Sequence, residues 1–139
     1  MIVTLQEVSS LSATTTNRVW PNLGEHGKRQ LQGMRSTKPA VFFCKVDLSS
    51  TGTPDWGCFL EFIMPDSVAT QNIASVANMT ADGTYRMAPA ITWLTMAGST
   101  NSPILLPLHL VGDGLQIRWL ENSGTGSITT GTVYAVIED

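Results

Sequence analysis

The chain has 139 residues, carries a net charge of −3, and is 42% apolar but only 14% charged, against a usual charged fraction of ~25%. That length suits one domain with a real core and no need of staples, so residues 1–139 read as a single domain. No stretch approaches the ~20 apolar residues of a membrane-spanning helix, the N-terminus lacks the basic and apolar regions of a signal peptide, and two cysteines fit neither a disulfide framework nor a zinc site.

In chain order, Ile2 to Ser9 reads as a first strand. Residues 17–39 fit no regular element and form a long irregular segment, which in a compact domain is usually functional or disordered. Ala40 to Leu48 alternates with period two, placing Phe42, Cys44, Val46 and Leu48 on one face. Ser49 to Pro54 is a turn, and Trp56 to Met64 reads as the return strand, with Trp56, Cys58, Leu60 and Phe62 inward. A hairpin centred on Thr51 would set Cys44 opposite Cys58 and Asp47 near Glu61. Both thiols fall on the inner face, where they read as small apolar residues, since a disulfide directly between paired strands would be strained.

Pro65 ends that strand. Asp66 or Ser67 then caps a short helix with Ala69, Ile73, Val76 and Thr80 on one stripe. Thr84 to Met96 alternates again, and Pro89 marks an edge or a bulge. Ile104 to Val111, the Gly112-Asp113-Gly114 turn and Leu115 to Glu121 form a hairpin with Ile117 and Trp119 inward and Gln116 and Arg118 outward. Asn122 to Gly131 is a loop, and Thr132 to Glu138 is the last strand. The expected fold is all-β: an antiparallel β-sandwich or jelly roll of about seven to eight strands with one short inserted helix.

Motifs of chemistry are sparse. His26 and His109 have no partner at metal-ligand spacing, and there is no nucleophile elbow, Walker loop or dinucleotide fingerprint. The reading is a non-enzyme with no cofactor and no metal. Charge is the more informative signal. Six of the eight basic residues lie between Arg18 and Lys45, giving that stretch a net +5 while the remainder carries −8. A basic arm on an acidic body suits docking onto an acidic protein surface, with Arg18, Lys28, Arg29, Arg35 and Lys38 steering and Trp20 and Leu23 anchoring. The overall acidity and the lack of a stacking platform argue against nucleic acid. The low charge with 12 Ser and 17 Thr suits assembly, because every charge buried at an interface must be desolvated.

The last third holds the segment Leu108-His-Leu-Val-Gly-Asp-Gly-Leu-Gln-Ile-Arg-Trp, the loop Ser123-Gly-Thr-Gly-Ser and the terminal run Thr129-Thr-Gly-Thr-Val-Tyr-Ala-Val-Ile-Glu-Asp139. In these roughly forty residues the chain resembles the small β-sandwich or jelly-roll cement (decoration) proteins of tailed-bacteriophage capsids. The resemblance implies a virion protein made in the host cytoplasm. It would bind the outer surface of a head built from a major capsid protein and bridge neighbouring subunits as a homo-oligomer, a dimer or trimer. No membrane and no catalytic residue would be involved. Two other classes compete. A carbohydrate- or receptor-binding module of a phage tail or fibre would expose Trp56, Trp93 or Trp119 as a sugar platform, whereas the alternation turns these rings inward. A small enzyme would need converging carboxylates or histidines in a deep pocket.

Overall fold

The computed structural model describes residues 2–18, 39–63, 70–89, 104–105, 115–122 and 124–137. Within them lie ten strands: β1 (Ile2–Leu11), β2 (Thr15–Arg18), β3 (Pro39–Leu48), β4 (Trp56–Ile63), β5 (Thr70–Met79), β6 (Gly83–Arg86), β7 (Ala88–Pro89), β8 (Ile104–Leu105), β9 (Leu115–Glu121) and β10 (Ile128–Ile137). They form two antiparallel sheets. The first has the order β1-β10-β3-β6, with β8 also pairing β3, and the second has the order β2-β9-β4-β5-β7. With the two-residue β7 and β8 set aside, each sheet has four strands, and β4–β5 is the one chain-consecutive pair that shares a ladder. All the other consecutive strands change sheets, in the order of a jelly roll.

Alternation drives this arrangement. The inner faces supply one continuous core: Val3, Leu5, Phe42, Cys44, Val46, Ile128, Val133 and Ala135 from the first sheet meet Trp56, Cys58, Leu60, Ile73, Met79, Ile117 and Trp119 from the second, all buried. At roughly 25 cal/mol per Å² of apolar surface, each large side chain here contributes about 1.5–3 kcal/mol.

The sequence expectation of an all-β sandwich holds, while some of its details do not. Residues 40–64 are not a hairpin: β3 and β4 lie in opposite sheets, and residues 49–55 arch between them. The arch is tied to the β9–β10 connection by a bridge between Thr53 and Thr125 and by Ser49 N–H donating to the Ser127 carbonyl at 2.9 Å. Asp47 and Glu61 are therefore on different sheets. The expected helix is replaced over Thr70–Met79 by a strand, β5. Two register irregularities against β4 break the period-two pattern, leaving Ile73 and Ala74 both buried, Val76 half-buried and Met79 buried. That three-residue spacing imitates a helical stripe. The long strand expected over Thr84–Met96 is also interrupted. β6 pairs with β3 and β7 pairs with β5 in the other sheet, with Pro89 at the sheet edge as its missing N–H requires.

Smaller differences follow from the same ladder. Asn17 and Arg18 belong to β2 and not to the irregular segment, and Pro39 opens β3. β10 begins at Ile128, inside the expected loop. Residues 64–69, where the helix was expected to start, lie outside the described residues, as do Pro107 and the Gly112–Gly114 turn. The hairpin expected from Ile104 to Glu121 does not form, because β8 pairs β3 in the first sheet while β9 lies in the second between β2 and β4.

Candidate functional site

Among the described residues there is no group of three or more His, Cys, Asp or Glu able to hold a metal ion. His26 and His109 lie outside them, as do Trp20, Leu23, Lys28, Arg29, Arg35, Lys38 and Trp93. Arg18 ends β2, its backbone opposite Gln116 of β9. Trp56 and Trp119 are fully buried, so neither offers a sugar platform. The described hollow at Glu7, Val8, Ser9, Thr130, Gly131 and Thr132 is an open depression of about 340 Å³ with one carboxylate on its lining. It supplies neither enclosure nor an acid–base pair.

What the sandwich presents outward is two sheet faces of different character. On the first sheet, register places Ile2, Val136 and Val41 in one row, and Thr4, Tyr134, Phe43 and Arg86 in the next. The rows beyond are polar: Glu7, Thr132, Lys45 and Thr84, then Ser9, Thr130 and Asp47. The face therefore grades from apolar to charged along the strands. At its apolar end Ile2 is 64% exposed and Val136 is 36% exposed. Beside them the Phe43 and Tyr134 rings stack with centroids 5.4 Å apart and planes 17° from parallel. An offset-stacked pair of this kind adds about 0.5–1.5 kcal/mol beyond its buried area, which holds both rings as a fixed platform. At the polar end Thr130 donates to Asp47 Oδ2 at 2.9 Å.

The second sheet's outer face is built around a carboxylate. Glu61 is on the outward phase of β4 yet only 6% exposed. Its Oε1 accepts from Gln116 Nε2 at 3.1 Å and from Arg118 Nε at 3.4 Å. The Arg118 guanidinium also lies 4.4 Å above the centre of the Phe59 ring. Alternation along β9 alone sets Gln116 and Arg118 outward. Their meeting with Glu61 and Phe59 required the β4–β9 pairing, which no local pattern signals. Arg118 is one-third exposed, so the pair acts mainly to hold its own geometry, with a modest share in stability.

Inside the core, Cys44 and Cys58 are both free and buried. They come from opposite sheets and belong to one core cluster. Burial, and then the neighbouring Cys44 thiol, push the Cys58 thiol well above its ordinary pKa, which disfavours its thiolate in the folded protein. A β1 bulge between Thr4 and Gln6 turns the Gln6 amide inward, where its Oε1 accepts the indole N–H of Trp119 at 2.9 Å.

The chain matches no protein-family model and no curated protein sequence.

Proposed function

We propose that this chain is a non-enzymatic virion structural protein that binds the outer surface of a phage capsid and cements neighbouring major capsid protein subunits. The observation that carries the reading is the apolar end of the first sheet's outer face. Ile2, Val41 and Val136 lie beside the stacked Phe43 and Tyr134 rings, with charge confined to the rows beyond and to Arg86. Interface cores are depleted of charge and enriched in aromatic residues in this way. Support also comes from the jelly-roll strand order, an architecture used by viral capsid and lectin domains, although fold alone never specifies function. In this reading the basic arm, with Arg18, Trp20, Leu23, Lys28, Arg29, Arg35 and Lys38, steers the protein onto an acidic capsid surface. A protein that binds only the expanded shell stabilises it by mass action, and symmetric repetition multiplies weak contacts.

Incorporation into particles tests both surfaces. Tyr134→Ser is expected to abolish incorporation by loss of the platform, and Arg29→Glu with Trp20→Ala by loss of the arm, each with the fold retained. Unchanged incorporation of folded variants would remove the corresponding surface from the proposal. The second reading, a carbohydrate- or receptor-binding module, would instead give a glycan-array signal lost in Trp93→Ala. The burial of Trp56 and Trp119 weighs against it.

A further inference from the structure

The core holds two cysteines on strands that face each other across the sandwich. In the first sheet Cys44 lies opposite Val133 of β10 and Tyr85 of β6. In the second sheet Cys58 lies opposite Trp119 of β9 and Val76 of β5. The Trp119 ring reaches across the core to the first sheet, because a Cβ placed on Gly131, two residues before Val133 on β10, would stand 2.9 Å from its Cη2. Register and packing thus place the two cysteines in one core cluster from opposite sheets, with the Cys44 thiol among the neighbours that raise the Cys58 pKa.

We propose that Cys44 and Cys58 are a latent inter-sheet disulfide site, reduced when the chain folds under reducing conditions and oxidised when it folds in the presence of a low-molecular-weight disulfide. The two cysteines lie in separate sheets, so the bond would not join paired strands. Closing the bond sets the two sulfurs about 2.05 Å apart. The chemistry is thiol–disulfide exchange. One cysteine loses its proton and attacks a sulfur of oxidised glutathione, expelling one glutathione thiolate. The second cysteine, also deprotonated, attacks the protein sulfur of the mixed disulfide and expels the other. The cysteines lose two electrons and two protons, and the glutathione disulfide gains the electrons.

Burial sets when this can happen. Both side chains are 0% exposed, so glutathione cannot reach either sulfur in the folded state, and the Cys58 thiolate is disfavoured there. Exchange therefore belongs to the open chain during folding, and the folded structure locks in whichever state it received. The bond would join the two sheets through the arch of residues 49–55, closing a loop of about 15 residues.

The test is refolding of the full chain from urea, in reduced or in oxidised glutathione. Expected in the oxidised arm are an intact mass lower by about 2 Da, no free thiol after denaturation, and a melting temperature higher by about 10 °C. Folded, reduced protein placed in the same oxidised buffer should keep both thiols, and the oxidised protein should resist dithiothreitol until it is unfolded. Glutathione adducts or two free thiols after oxidative refolding would overturn the proposal, as would a bonded form that melts lower than the reduced one. Cys44→Ala and Cys58→Ala should melt at temperatures independent of the redox buffer. The comparison of wild-type redox states decides the matter even if neither variant folds.

Discussion

Gly131→Ala adds one methyl group to the middle of β10 and should destabilise the protein measurably. A Cβ at this position would stand 2.9 Å from Trp119 Cη2, 3.1 Å from Val8 Cγ2 and 3.3 Å from Trp119 Cζ3. The indole cannot yield easily. It is fully buried, it reaches from the second sheet to the backbone of the first, and its N–H is held by Gln6 at 2.9 Å. Overpacking of this kind costs about 1–3 kcal/mol. The usual advantage of Ala over Gly, about 0.4–1 kcal/mol through the unfolded chain, offsets part of it. The net loss should be about 1–2 kcal/mol, read as a lower urea midpoint with an unchanged m-value. Trp119→Phe removes the ring edge that meets the new methyl, so the double variant should cost less than the sum of the two single changes by about 1 kcal/mol. A Gly131→Ala protein as stable as the wild type, or strictly additive effects, would refute the packing argument.

Three further outcomes follow from the same contacts. Gly52 has φ +79°, and a Cβ there would collide with the Thr125 carbonyl that binds Thr53 N–H, so Gly52→Ala should lower stability by about 2 kcal/mol or more in urea unfolding. Gln6→Leu removes the acceptor for the buried Trp119 N–H, and calorimetry should show a loss of about 1–3 kcal/mol. The raised Cys58 pKa gives an alkaline dependence. The folded protein keeps a proton that the unfolded chain releases above about pH 8.5, so this contribution is complete below that pH and is lost as pH rises towards the folded-state value, with a slope of at most about 1.4 kcal/mol per unit. Denaturation midpoints of wild type and Cys58→Ala between pH 7 and about 10 should converge as pH rises, and parallel curves would contradict the assignment.

Strands with unbroken alternation were legible in the sequence. β9 spans Leu115–Glu121 as expected, with Ile117 and Trp119 inward, and β3 starts one residue before the expected Ala40. The failures have physical causes. Alternation tells which residues face inward but not which sheet they face inward from, so the turn after Leu48 fits a hairpin and an arch equally well. Bulges in the β4–β5 ladder shifted the buried positions of β5 to a helical spacing. β2, Thr-Thr-Asn-Arg, has no apolar residue to announce it. The stacked pair Phe43–Tyr134 and the Glu61–Arg118 pair are long-range products of strand order, visible only once β10 lies beside β3 and β9 beside β4.

The proposed docking of the first sheet's outer face onto a capsid is tested most directly by sedimentation with expanded heads assembled from the major capsid protein. Ile2 is 64% exposed, so Ile2→Lys should leave folding stability within about 0.5 kcal/mol of wild type. Burying a lysine in the apolar end of the interface should still weaken binding at least about tenfold, or 1.4 kcal/mol. The prediction is that the wild-type chain pellets with the heads at a saturable stoichiometry and that folded Ile2→Lys stays in the supernatant at the same concentration. A wild-type chain that never pellets, or an Ile2→Lys chain that pellets equally well, would contradict it.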